Sequence, residues 1–254
     1  WTAVYNAANR AVSFTSRNGN TIIECGYDYQ GRRYVKKITQ NGTVASHERY
    51  LYRGYLQIAA LDMLDNRNVL RTLLWDPLEP VATRPLALAQ DASLYCYGVD
   101  FNKNVSEVFD AQGTIAAAYD YSPYGAVTGT GSLVQPVQWS GEMHDEEPAL
   151  VYYNYRYYNP KDGRWINRDP IAEQGGWNLY AFLGNSPQDK FDALGLIGIF
   201  GLLGGALIDY GFQVTANYIQ GKEDPWTDID WGSVTTSAAL GAAGIPGNVK
   251  IGKN

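Results

Sequence analysis

Histidine, cysteine and methionine are scarce: the 254 residues hold two of each. With only His47 and His144, a metal centre built from several histidines is nearly excluded. So are most histidine-dependent hydrolytic triads, unless one of these two serves. His144 precedes Asp145, but no Ser or Cys motif surrounds the pair, and a surface position is expected for it. Cys25 and Cys96 do not make a disulfide framework, and whether paired or free they fix no compartment. Basic charge is also short. Lys and Arg number 20 against 26 Asp and Glu, for a net charge of −6 and a pI near 4.9. Nucleic acid is thereby argued against as the main partner, because phosphate binding wants a positive surface. The first residues, Trp1-Thr2-Ala3-Val4-Tyr5, have no basic stretch followed by an apolar one, so no signal peptide is expected. They lack an initiator Met and start inside a pattern, which reads as a piece of a longer protein or a truncated gene. No cofactor or metal is expected.

What is abundant points to sheet. Twenty Tyr and 27 Gly favour strands and turns over a helical bundle. Charged residues are 18% and hydrophobic residues 45%, which argues against disorder. A short motif recurs. Tyr5-Asn6-Ala7-Ala8-Asn9-Arg10 returns as Tyr27-Asp28-Tyr29-Gln30-Gly31-Arg32, and more weakly as Phe109-Asp110-Ala111-Gln112-Gly113-Thr114. Each copy has an aromatic, then Asp or Asn, two free positions, then Gly or Asn. This describes a hairpin: the aromatic ends a strand, the Asx side chain bonds the turn backbone, and the Gly or Asn takes positive φ. Between the turns lie strand-like runs at 11–15, 21–25, 33–38, 46–52, 70–74, 93–98 and 115–121, many of them alternating. An all-β stack of hairpins is predicted over 1–136. These hairpins are too few to close a large shell, so an open sheet with exposed edges, or one needing a partner, is expected.

From Val137 the character changes. Val151–Tyr158 is nearly all aromatic around Asn154 and Arg156, then turn signals crowd in at Asn159-Pro160, Gly163, Arg168-Asp169-Pro170, Gly175-Gly176 and Asn185-Ser186-Pro187. Irregular, tightly turned structure is predicted, with a short helix around Asn178–Leu183. The tyrosines read as core packing, and Arg156 as a structural ion or a cation–π partner. After Leu196 the chain changes again. Ala193–Ile208 carries no charge and has Gly195, Gly198, Gly201 and Gly204 at even intervals; an acidic stretch with Trp226 and Trp231 follows. The uncharged run is short for a membrane span, though glycines so spaced let membrane helices approach closely. A boundary is placed at Leu196/Ile197, with a short helix-leaning Gly/Ala-rich tail over 197–254.

The residues from Asp145 to Leu196 carry a family pattern. They are Asp145, Glu147, Leu150, Tyr152-Tyr153, Arg156-Tyr157-Tyr158, Pro160, Gly163-Arg164-Trp165 and Arg168-Asp169-Pro170-Ile171. Gly175-Gly176, Asn178, Tyr180, Asn185, Pro187 and Asp192-Ala193-Leu194-Gly195-Leu196 continue it. Tyr119-Asp120-Tyr121, Trp139-Ser140-Gly141-Glu142 and the earlier aromatic-Asx turns fit as well. The stretch resembles the core-associated region of the Rhs (rearrangement hotspot) and YD-repeat proteins, and the resemblance covers roughly 1–196. Three positions depart: Ala193 stands for the usual Pro, Pro148-Ala149 for Thr-Gly, and Lys103 for Gly.

The resemblance implies a fold, a reaction and partners. YD repeats would coil into a hollow β-shell, of which this chain is a fragment, and 137–196 would form a plug at one end. The plug would be an aspartic self-protease that cuts between Leu196 and Ile197. The freed segment would be the shell's own cargo. The setting would be a polymorphic toxin delivered outside the cell by a bacterial secretion system in competition between bacteria, with the rest of a shell or a secretion component as partner. The tail would be too short to include a toxin domain and resembles the part that precedes one. Peptide hydrolysis by carboxylates needs two, one ionised to take a proton from water and one protonated to donate. Asp169 and Asp192 fill these places by motif match, and Arg168 would hold or orient one of them. From the residues alone, Asp169-Pro170 and Asp192-Ala193 also read as plain turns. Two other functions stay open: a non-enzymatic surface protein whose aromatics contact carbohydrate or protein, and a carrier of a membrane-active peptide, 197–254.

Overall fold

The computed structural model describes residues 1–77, 83–170, 172–175, 177–187, 192 and 195. By internal contacts the chain forms two units: Trp1–Pro170 with Tyr180–Gly195, and Ile171–Leu179 with Leu196–Asn254. In the second, the described structure is the single 3₁₀ turn Ala172–Gly175 and residues 177–179. The predicted tail and the bond between Leu196 and Ile197 lie outside the described residues.

The first unit is built of antiparallel strands. Twelve form one sheet, each hydrogen-bonded to the next along the chain. They are β1 (Thr2–Tyr5), β2 (Ala11–Thr15), β3 (Thr21–Tyr27), β4 (Arg33–Gln40), β5 (Thr43–Arg53) and β6 (Leu56–Asp62). The sheet continues with β7 (Val69–Trp75), β8 (Pro85–Gln90), β9 (Ser93–Val99), β10 (Val105–Phe109), β11 (Ile115–Tyr121) and β12 (Val127–Gly131). Among the described residues its two edge strands, β1 and β12, each pair on one side only. A second sheet holds β13 (Met143–Asp145), β14 (Leu150–Tyr153), β15 (Arg156–Asn159) and β16 (Arg164–Trp165).

The turns form as the motif requires. The side chain of Asn6 accepts from the backbone of Ala8 and Arg10, both at 3.0 Å; Asp28 does the same for Gln30 and Arg32, and Asp110 for Gln112 and Thr114. Asp100 makes a fourth such turn with Asn102 and Asn104. The fourth position of each takes positive φ: Asn9 58°, Gly31 77°, Lys103 67° and Gly113 80°. Lys103 therefore occupies the left-handed place that glycine fills elsewhere, at some conformational cost.

Alternation sorts each strand into an inner and an outer face. Ile23 and Cys25 on β3 point in, while Ile22 and Glu24 point out. The inner residues Phe14, Ile23, Ile38, Leu73, Leu88, Val105, Val108 and Ala117 make one core with Met143, Leu150, Tyr152 and Tyr157 of the second sheet. Buried charge also joins the layers. Arg33 of β4 binds Asp145 of β13 through both guanidinium ends and donates to the Tyr157 hydroxyl at 2.6 Å. Lys36 reaches Asp145 at 3.0 Å and Glu147 at 2.9 Å.

The helix predicted around Asn178–Leu183 is not found as such. The described residues there hold only the 3₁₀ turn Leu183–Asn185, with Leu183, Gly184 and Asn185 all at positive φ, a backbone that cannot propagate an α-helix. His144, expected at the surface, is half-buried instead, because β13 places it beside the charged wall of the core.

Candidate functional site

The site is assembled on the hairpin of β14 and β15. The strand Arg156–Asn159 puts Tyr158 against Trp165 of β16, and Arg156 opposite Tyr153. Around them the rings of Tyr153, Tyr158, Trp165 and Phe182 interlock. Tyr158 stacks on Phe182 at 3.8 Å between centroids, and Tyr153 meets Trp165 edge-on at 5.1 Å. All four are buried, as expected for core packing. The polar end of Arg156 is caught inside this apolar wall, 4.1 Å above the Trp165 ring, with the residue 2% exposed.

A buried guanidinium needs anionic partners, since leaving it unpaired would be costly. Arg156 has both predicted aspartates. Its Nη1 lies 2.8 Å from Asp169 Oδ2 and its Nη2 3.7 Å from Asp192 Oδ2. Asp169 is 6% exposed and Asp192 1%. Burial draws the Arg156 guanidinium down from its ordinary value while the two carboxylates oppose this, and it stays a cation. The third contact is to the main chain: Arg156 Nε donates to the Gly195 carbonyl at 2.6 Å. Gly195 N in turn donates to Asp192 Oδ1 at 2.8 Å. Gly195 has φ of 74°, and a Cβ there would sit 3.1 Å from Arg156 N, so glycine fits this crossing.

The structure thus brings Asp169 and Asp192 together, although they lie far apart in sequence. The guanidinium between them is that of Arg156. Arg168 is exposed, and its carbonyl accepts from Asn9 Nδ2 at 2.7 Å. Its neighbour Asn167 donates to the Asn9 carbonyl at 2.9 Å, so the first hairpin turn holds residues 167 and 168, next to Asp169. Sequence reasoning saw Arg156 as an ion or a cation–π partner, and it is both. The signal that would have marked it as the aspartate holder is its place as the one cation in an aromatic strand.

A second carboxyl cluster was not foreseen. Glu142 closes the Trp139–Gly141 turn at 3% exposure, and its Oε1 accepts from Thr83 Oγ1 at 2.9 Å. Burial pushes its carboxyl well above the usual range; the Asp192 charge adds to this, while Thr83 and Lys103 oppose it. Asp145 is the contrast. It is equally buried, but Arg33 and Lys36 hold its carboxyl well below the usual range against that burial. Elsewhere a polar cavity of about 600 Å³ is lined by Glu48, Asp91, Glu146 and Glu147 together with Lys36 and Arg71, a wall with more carboxylates than cations.

No family model matches the chain. The double-stranded DNA deaminase toxin A of Burkholderia cenocepacia is 37% identical over 226 residues, covering 78% of this chain and 16% of the toxin. The toxin protein Tse5 of Pseudomonas aeruginosa is 35% identical over 144 residues, covering 47% of this chain and 11% of that one. Among solved structures, the TcdB2-TccC3-Cdc42 complex is similar with a TM-score of 0.62, over 76% of this chain and 10% of the other, at 21% identity. That last likeness is one of fold: antiparallel sheet, as predicted here. The chain spans a small part of each of these proteins. These two sequence relatives are toxins, and they support the Rhs-type toxin family that residues 1–196 resemble as the setting of this chain.

Proposed function

We propose that this chain is part of an Rhs-type toxin shell that cuts itself between Leu196 and Ile197 and so frees the segment behind the cut. Residues 1–136 would be shell, 137–196 a plug carrying the cutting groups, and 197–254 cargo or the lead into it. The supporting observation is Arg156. One buried cation gathers Asp169, Asp192 and the carbonyl of Gly195, one residue short of the predicted scissile linkage.

The chemistry is hydrolysis. Water adds to the Leu196 carbonyl carbon, and one aspartate takes the proton that the water loses. The other carboxyl, protonated, donates to the carbonyl oxygen. The C–N bond then breaks as the Ile197 nitrogen takes up a proton, leaving a carboxyl group on Leu196 and an amino group on Ile197. A reaction within one chain needs little rate, because tethering presents the bond at high effective concentration. Arg156 would fix both carboxylates and the Gly195 carbonyl next to the bond. By analogy with its toxin relatives, the chain would act outside the cell that makes it, joined to the rest of a shell or a toxin complex.

Intact mass of the purified chain is the test. Two species that meet between Leu196 and Ile197 are expected, and a single uncut species from Asp169→Asn and from Asp192→Asn. Ala193→Pro is expected to speed the cut by fixing the turn before it. An uncut wild-type chain after long incubation would leave a purely structural shell. Cleavage that survives both aspartate substitutions would refute the carboxylate mechanism.

A further inference from the structure

We propose that Arg10 is a positioning residue for the cut: from the first hairpin turn it holds the turn that carries Arg156, so cleavage requires the two turns to be docked. This rests on the cleavage reading above and adds to it a residue from the far end of the chain. Arg10 touches no reacting atom; it works through Arg156.

Arg10 and Arg32 hold the same place in two copies of one motif, Tyr5-Asn6-Ala7-Ala8-Asn9-Arg10 and Tyr27-Asp28-Tyr29-Gln30-Gly31-Arg32. The second copy keeps its arginine for itself. Asp28 accepts from Arg32 Nε at 2.8 Å and pairs with Nη2 at 2.7 Å, a charge-assisted contact inside one turn. Arg32 Nη1 then donates to the Gly54 carbonyl of the next turn at 2.6 Å. In the first copy Asn6 stands where Asp28 stands in the second. Its Oδ1 accepts from the amides of Ala8 and Arg10, both at 3.0 Å, which uses its two lone pairs. The other polar atom of an Asn side chain is a donor, so nothing in this turn can take a guanidinium. Among the described residues no carboxylate lies within ion-pair distance of Arg10.

The Arg10 side chain crosses to the second sheet instead. Its Nη1 donates to the Asn154 carbonyl at 2.6 Å, and its guanidinium lies 4.3 Å over the Tyr155 ring. A Cβ on Gly31 would overlap Arg10 Nη2, so the glycine of the second turn leaves the path open. Asn154 and Tyr155 are the whole turn from β14 to β15, and Tyr153 pairs with Arg156 across it. Tyr55 braces the same turn, its hydroxyl 2.8 Å from that of Tyr155. Arg156 follows Tyr155 directly and has to meet Asp169 at 2.8 Å and the Gly195 carbonyl at 2.6 Å. Asn9, the residue before Arg10, holds the other side: it donates to the Arg168 carbonyl and accepts from Asn167. Two consecutive residues of one turn thus hold the two segments that carry Arg156 and Asp169. Catalytic geometry tolerates little slack, and a misplacement of about 1 Å can lower a rate by about a hundredfold.

The experiment refolds the full chain from urea and reads the cut fraction against time by intact mass, with thermal unfolding of each variant alongside. Asn6→Asp gives the first turn the carboxylate of the second. It keeps the turn's hydrogen bonds and adds an ion pair within it, so a merely structural Arg10 would leave the cut unchanged. Here it is expected to draw Arg10 back and slow the cut by about tenfold. Arg10→Ala is expected to slow it at least as much, and Arg10→Lys to recover part by keeping a cation over Tyr155. Arg32→Ala loses the matching contacts of the second turn; it is expected to unfold at lower temperature yet cut at the wild-type rate. A second readout is independent of cutting. The Arg156 Nε–H, identified by the loss of its nitrogen-15 signal in Arg156→Lys, donates to the Gly195 carbonyl and should exchange slowly with water. Its exchange is expected to be about tenfold faster in Asn6→Asp and Arg10→Ala and unchanged in Arg32→Ala. An Arg32→Ala chain that cuts as slowly as Arg10→Ala would show a general loss of stability and overturn the proposal. So would an Asn6→Asp chain that cuts and exchanges like wild type. A wild-type chain that shows this exchange pattern yet never cuts refutes the cleavage reading, and with it the part given to Arg10 in the cut.

Discussion

Asp145 and Glu142 are both removed from water, and their partners decide their states. Asp145 has Arg33 and Lys36 in contact, Glu142 only the Thr83 hydroxyl. The sign of the pH effect follows for each. The Asp145 carboxyl is held below its unfolded value, so its contribution is present above the ordinary carboxylate range and is lost as pH falls towards the folded value. Glu142 is raised, so its contribution is full at acid pH and is lost as pH rises towards its folded value. Asp145→Asn is expected to cost about 3–5 kcal/mol at neutral pH, because Arg33 and Lys36 lose a buried anion. The same substitution should flatten the acid limb of stability. Urea unfolding across pH checks both; an unchanged acid limb would place that titration elsewhere.

The elements that matter are the hairpin turns. Four of them are specified locally, by an Asx side chain that ties two backbone amides and a fourth residue at positive φ. That much was readable in the residues, and the strands runs at 11–15 and 115–121 match β2 and β11 to the residue. β1, β6, β8, β10, β12 and the second sheet, β13–β16, where irregular turns were expected, were not foreseen. β8 opens on Pro85 and β12 contains Gly129 and Gly131, residues that read as breaks unless neighbouring strands supply the pairing. The first turn also does a second task, since Asn9 grips Asn167 and Arg168 next to Asp169. Asn9→Ala removes the side-chain bond to Arg168 while leaving the carbonyl contact; it is expected to lose about 0.5–1.5 kcal/mol and to slow cleavage. Thermal unfolding and intact mass measure the two. Normal cleavage in the variant would show that Arg156 alone places Asp169.

For the whole first unit, the decisive feature is a long sheet with two open edges. Among the described residues β12 pairs only with β11, and its Thr128 and Thr130 are exposed. Unpaired strand edges template further pairing. Concentration-dependent association is therefore expected, and Thr128→Lys should reduce it by placing a charge on that edge. Light scattering over a concentration series decides it; equal association of both proteins would put the contact elsewhere, for instance on the outer face with Leu51, Leu74, Leu94 and Ile115.

Sequence by itself determined the all-β class, the turn chemistry and the pairing of Asp169 with Asp192 as candidates, because these are written in local spacing and in motifs. Only the tertiary structure showed that Arg156 lies at both of them. Arg168 and Arg156 are alike as residue types, and it is the strand register of β15 and the aromatic wall of Tyr153, Tyr158, Trp165 and Phe182 that bury one beside both carboxylates and leave the other exposed. The state of Glu142 was hidden for the same reason: a carboxyl's charge is set by burial and by the cations within reach, and both are properties of the folded chain.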